Sequence, residues 1–141
     1  MRVMLCLDDK DGMLFHQRRQ SQDRVLRRHM LDLCGAQGLW LDAYSAGQFA
    51  EQERDRLRID ERFLELAGEG DYCFVEDRQI APVADRIEAI ILFRWNRVYP
   101  ADWYFDRSLL SHGWTLRETE EFPGFSHAKI TKEVYEKCKQ S

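Results

Sequence analysis

Ile87-Glu88-Ala89-Ile90-Ile91-Leu92-Phe93-Arg94-Trp95 is the stretch on which the fold turns. Within it, Ala89–Phe93 is an uninterrupted run of five apolar residues. A strand with one wet face alternates apolar and polar residues, whereas one covered on both faces does not need to. Two adjacent isoleucines add β-branched weight, so the run reads as a central, doubly covered strand. Tyr99-Pro100 ends it.

Working outward, Val3–Leu7 is a short apolar run stopped by Asp8-Asp9-Lys10-Asp11-Gly12, a buried strand followed by a turn. Ser21 is expected to cap a helix that buries Leu26, Met30 and Leu33, with Asp23 in its first turn and Gly35 as its stop. Leu39–Leu41 and Tyr72–Val75 read as further strands, and Trp114–Phe122 as a more exposed one. Ser45 is expected to cap a brief helix through Phe49, Glu51–Arg58 reads as a charged connector, and a short helix is expected around Glu61–Leu66. In Ser126–Cys138, the residues Ile130, Val134 and Cys138 recur every four positions behind a possible cap at Ser126. They fit a helix, and equally one face of a strand. The Ala, Lys and Glu between them favour the helix. Strands separated by helices make an α/β fold. The expectation is one domain over residues 1–141, an open mixed or mainly parallel sheet of about five strands with helices on both faces.

Composition sets the bounds. The 141 residues are 44% hydrophobic and 33% charged, enough apolar material for one core and too much for a disordered chain. With 21 Lys plus Arg against 25 Asp plus Glu, the net charge of −4 excludes a broadly basic nucleic-acid coat but leaves room for a local basic patch. No apolar run approaches the roughly 18–20 residues of a membrane span, and Met1–Leu7 is too short for a signal peptide, so the expected setting is cytoplasmic. Cys6, Cys34, Cys73 and Cys138 form no C-x-x-C pair and no histidine stands at zinc-site spacing. Reduced thiols and no metal site are expected.

Ligands of open α/β sheets gather beyond the carboxyl ends of the strands, so chemistry is sought just after each strand. Arg18 and Arg19 precede the first helix and could meet its free N–H groups on an anion; Arg24, Arg27 and Arg28 share a solvated helix face. After the central strand come Arg94, Asn96, Arg97, Tyr99 and Asp102, with Trp95, Trp103, Tyr104 and Phe105 nearby. That loop suits recognition, with an aromatic to stack a base. Its bland alternative is that the aromatics cover the sheet edge while Arg94 or Arg97 pairs with Asp102. Pro123-Gly124-Phe125-Ser126-His127 would offer a close backbone approach at Gly124, a donor at Ser126 and an acid/base at His127.

Three resemblances add to this. Asp9-Lys10-Asp11-Gly12-Met13-Leu14 resembles the D-x-D-G-T-L opening of haloacid-dehalogenase-like phosphatases, which implies Asp9 as a nucleophile; Met13 stands where that family has a hydroxyl residue. The phrases GMLFHQRRQSQDR, AGEGDYCFVE, LFRWNRVYPADWYFD and GFSHAKITKEVYE resemble a group of short bacterial proteins that carry a ribonuclease Z label. The H-x-H-x-D-H zinc motif of that enzyme does not occur here, and what the likeness implies is an RNA-related role. LDDKDGMLF, SQDR and IILFRWNRVYPADWYFD are similar to dihydrofolate reductase, which implies Asp23 as a substrate-binding acid and Asp102 as the Asp of its G-D-T-x-F-P phrase. Gln17–Gln20 replace that family's Leu-Pro-Trp, Glu76-Asp77-Arg78 replace the Gly-Gly that cradles NADP, and a C-terminal helix would remove its closing strand.

The expected function is binding of an anionic, phosphate-bearing small molecule, nucleotide or RNA segment at the carboxyl edge. Arg18, Arg19, Arg94 and Arg97 would grip phosphate together, with Ser126 as a donor and His127 as the acid/base of a hydrolytic step. The alternatives are a non-catalytic module whose Trp95–Phe105 loop docks a protein partner or a second copy, and a dihydrofolate reductase-like enzyme or relic. No cofactor is assigned.

Overall fold

A computed structural model describes residues 1–138. Arg2–Leu7 (β1) lies between Tyr72–Phe74 (β6) and Ala89–Arg94 (β7), parallel to both. Beyond β6 the sheet continues in parallel through Leu39–Leu41 (β4) to Leu57–Ile59 (β5). On the other side, Ile130–Lys137 (β10) and Trp114–Phe122 (β9) add two antiparallel strands, giving the order β5-β4-β6-β1-β7-β10-β9. The α/β class stands, with seven strands in the main sheet where about five are expected. No helix of the described residues is long and apolar enough to cross a membrane.

The decisive run behaves as its composition requires. Every residue of Ala89–Phe93 is buried, with Ile90 and Leu92 in one core and Ile91 and Phe93 in the other. Helix Arg24–Cys34 (α1) closes the second of these, packing Leu26, Met30 and Leu31 with Met4 and Phe74. The opposite face is covered by smaller pieces, the one-turn helix Phe63–Leu66 (α3), Ile80 and Phe105, and by Met13 and Leu14 of a separate three-stranded sheet. That sheet joins Gly12–Phe15 (β2) to Arg18–Arg19 (β3) and Trp103–Tyr104 (β8). Cys34 and Cys73 are buried and free, and burial pushes both thiols up to about 12, so they behave as core atoms.

Four local expectations need correction. Residues 130–137 are a strand: Ile130 and Val134 lie in the α1-side core, and pairing to β7 and β9 on both sides outweighs the helix preference of the intervening Lys and Glu. The cap of α1 is Asp23, whose carboxylate accepts from the N–H groups of Val25 and Leu26, not Ser21. Asp42, not Ser45, caps Ala43–Ala46 (α2). The charged connector ends in a strand, β5.

The strand identity of β10 matters for function. Because β10 runs against β7, its amino end lies beside the carboxyl end of β7, with Thr131 opposite Arg94 and Ile130 opposite Phe122. Residues 123–129 therefore cross the same edge of the sheet as the loops after β1 and β7. His127 reaches that edge as part of a strand connection rather than as the first turn of a helix.

Candidate functional site

Asp23 organises the edge. Its side chain is fully buried, and Oδ1 accepts from the N–H groups of Val25, Leu26 and Phe125 at 2.9, 3.2 and 3.0 Å. Oδ2 accepts from the N–H of Ser126 at 2.9 Å, from Ser126 Oγ at 3.3 Å and from His127 Nδ1 at 2.8 Å. Burial alone would raise this pKa, but the hydrogen bonds from Phe125, His127, Ser126 and Leu26 outweigh it and hold the carboxyl far below the usual carboxylate range. A carboxylate offers about four lone-pair positions, and protein donors take them all. The substrate-binding role that the dihydrofolate reductase resemblance implies for Asp23 thus has no free oxygen to use.

The residue that benefits is His127. An ionised Asp23 requires Nδ1 to carry the proton, so in the neutral ring Nε2 is an acceptor. Two hydroxyls point at it, Ser21 Oγ at 3.0 Å and Tyr99 Oη at 3.1 Å. Trp95 stacks on the imidazole with ring centres 4.5 Å apart, which fixes the plane of the ring. The close approach expected at Gly124 is to Asp23 and His127: a Cβ there would stand 2.7 Å from Asp23 Oδ2 and 3.0 Å from the His127 carbonyl oxygen. Gly124→Ala is therefore expected to cost about 1–3 kcal/mol through overpacking, read as a lower urea midpoint.

Two hollows adjoin across the Tyr99–His127 contact. The larger, about 680 Å³, is lined by Asp9, Trp95, Asn96, Arg97, Ser126, His127 and Lys129. The other, about 480 Å³, is lined by Phe15, His16, Arg18, Arg19, Gln20 and Tyr99. Both fall in the range of about 300–1,000 Å³ usual for small-molecule sites. In the second, the rings of Phe15 and His16 stack at 3.9 Å with Phe15 partly exposed.

The four-arginine grip does not form. Arg19 makes a two-pronged pair with buried Glu76, at 3.0 and 3.1 Å, and donates to the Tyr44 carbonyl oxygen. Arg94 turns to Glu133 at 2.7 Å and Asp11 at 3.1 Å. Arg18 and Arg97 are exposed and meet no carboxylate among the described residues; Arg97 lies 5.9 Å from the centre of the Tyr99 ring. Sequence cannot separate the two pairs, because Glu76 and Glu133 are 57 and 39 residues from their arginines.

Other expected site residues serve the scaffold. Asn96 donates to the Lys129 carbonyl oxygen and to Thr131 Oγ1, pinning the loop after β7 to β10. Asp102 accepts from the His16 N–H and closes the β2–β3 turn, so it pairs with neither Arg94 nor Arg97. Trp95 and Phe105 are buried, which leaves Val98, Trp103 and Tyr104 as the exposed apolar groups of that loop. Asp9 lines the larger hollow, while Asp11 is held by Arg107 and Arg94 and is pushed below its ordinary range by Arg107 first. The two carboxylates do not converge, and no group of three potential metal ligands occurs among the described residues.

Three residues of the edge stand outside the expected site: Ser21, expected only as the helix cap, and Asp8 and Glu76. Asp8 is buried; burial would raise its pKa, but hydrogen bonds from Gly12, Lys10, Tyr99 and Gln20 hold it down. It ties the loop after β1 to Tyr99. Its only visible signal was its place as the first acid after a buried strand. Comparison with protein-family models finds no match to this chain, and a search of curated proteins finds none either.

Proposed function

We propose that the chain binds a phosphate-bearing ligand, a nucleotide or a segment of RNA, in the paired hollows at the carboxyl edge of the sheet, with His127 as the group that handles protons there. The observation that carries this reading is the pair Arg18 and Arg97, two exposed guanidinium groups without a carboxylate partner among the described residues, one in each hollow. Guanidinium matches phosphate in planar, two-pronged hydrogen bonding. Lys129 adds charge at the rim of the larger hollow, although it also reaches Glu121 at 3.5 Å. Asp9 argues for a nucleotide over free phosphate, because a carboxylate with no ion-pair partner among the described residues repels phosphate but accepts well from a sugar hydroxyl. Partly exposed Phe15 offers a face for a base.

The test is a thermal-shift and titration series with nucleoside mono- and diphosphates and short RNAs at two salt concentrations. A ligand at 100 times its Kd should add about 2.7 kcal/mol of stability. Arg18→Ala and Arg97→Ala are each expected to weaken binding roughly tenfold, the size of one charge-assisted hydrogen bond. With RNA, each should also lower the salt slope by about one. Arg117→Ala, on β9, should do neither. No shift with any nucleotide or RNA overturns the reading. A second reading, a protein partner seated on exposed Val98, Trp103 and Tyr104, then takes its place.

A further inference from the structure

We infer that Ser21, His127 and Asp23 form a nucleophilic relay that hydrolyses carboxylic esters, with the Tyr99 hydroxyl as the donor to the oxyanion. This goes beyond phosphate binding and does not depend on it.

The geometry meets the requirements in order. The nucleophile needs a base at hydrogen-bond distance, and Ser21 Oγ lies 3.0 Å from His127 Nε2. The base needs an orienting acid on its other nitrogen, and His127 Nδ1 lies 2.8 Å from Asp23 Oδ2. The orienting acid must stay ionised and fixed, and Asp23 is buried with five further hydrogen bonds from protein donors. The ring must not rotate, and Trp95 stacks on it. Ser21 itself is only half-buried.

A purely structural network would not need this arrangement. Asp23 already caps α1, so Ser21 is not required there. In the neutral ring Nε2 has one lone pair, yet two hydroxyls stand within 3.1 Å of it. Only one of the two can donate to it at a time, which leaves the other O–H for a substrate oxygen. Ser21 Oγ attacks the ester carbonyl carbon and forms an O–C bond, its proton passes to Nε2, and the carbonyl electron pair moves onto oxygen. Protonated Nε2 accepts from neither hydroxyl, so the Tyr99 O–H is free to donate to the new oxyanion. The pair then re-forms the carbonyl, the bond to the alcohol oxygen breaks, and the departing alkoxide takes the proton from Nε2. Water repeats the sequence on the acyl-Ser21, giving its proton to Nε2, and Ser21 recovers it on leaving. The sum is ester plus water giving acid plus alcohol.

The experiment uses a fluorophosphonate probe and p-nitrophenyl acetate on the whole chain. Serine attack on the probe displaces fluoride and leaves a phosphonylated residue, located by peptide mass. Labelling is expected on Ser21 in the wild type and on no serine in Ser21→Ala. Ester hydrolysis above the rate in buffer should fall by roughly 10⁴-fold in Ser21→Ala, as on removal of a relay member elsewhere. Tyr99→Phe should lower kcat by about 10²-fold with little change in KM, the behaviour of a donor to an oxyanion. Both variants keep the Asp23 cap and are expected to fold, which a far-ultraviolet spectrum checks. An unlabelled Ser21 in the folded wild type, or wild-type hydrolysis by folded Ser21→Ala, overturns the inference; binding of phosphate-bearing ligands through Arg18 and Arg97 would be untouched by either result.

Discussion

Replacing Asp23 by alanine is expected to lower the unfolding free energy by about 3–5 kcal/mol, the range seen when one partner of a buried charged network is removed. Three losses combine. The helix loses its cap, usually about 1 kcal/mol. The N–H groups of Phe125 and Ser126, which end on this carboxylate, lose their acceptor. His127 keeps its burial but loses the partner of Nδ1. The pH dependence gives a second, independent signature. Asp23 has a lower pKa folded than unfolded, so its stabilisation is fully present above the unfolded value of about 3.9 and is lost as pH falls through the folded one. Urea unfolding of the wild type and Asp23→Ala should therefore differ most near neutral pH, and the gap should narrow as the pH is taken below about 4. A gap constant from pH 7 to pH 2 would mean that the carboxylate is not what holds the edge together.

The second large effect is expected at Glu76. It is 7% exposed, and it meets Arg19 through two nitrogens and Gln48 Nε2 at 3.2 Å. Burial alone would lower the Arg19 pKa, and the bond to Glu76 outweighs it, so the guanidinium relies on this acid. Glu76→Ala should cost about 3 kcal/mol, the low end for a broken buried pair, because the Arg19 side chain keeps 18% of its exposure. The double variant Arg19→Met with Glu76→Leu should recover most of that loss, which a double-mutant cycle measures. Ligand binding should move the other way. Glu76→Ala releases a guanidinium beside Arg18 in the smaller hollow, so phosphate affinity should rise as stability falls. If both fall together, Arg19 shapes the hollow and its charge is irrelevant to the ligand.

The central layers of the fold were legible because their signal is local. Ala89–Phe93, Val3–Leu5 and Cys73–Phe74 each carry their burial in consecutive residues. The small sheet was not, since β2 and β3 meet through His16 and Gln17, both at positive φ without a glycine to mark the turn. Ile130 and Val134 lie four apart, a spacing common to both periodicities, and only the neighbours of β10 decide between them. The site was half-legible for the same reason. His127 and Arg97 follow strands and could be found by position. The difference between Arg19, which is neutralised, and Arg18, which is not, depends on Glu76 and lies outside any local window.

β9 has one further consequence. It is the outermost strand of the sheet, nine residues long, and its outer backbone groups face no neighbour among the described residues. Such a border is a template on which another chain can add itself as the next strand. Glu118, Glu120 and Glu121 stand along it, each about half-exposed, with Lys132 reaching the first two and Lys129 the third, so the border carries ion pairs where a new strand would have to lie. An incoming strand gains backbone hydrogen bonds only by crowding those charged side chains. Charge placed on an exposed edge is a common defence against such unwanted growth.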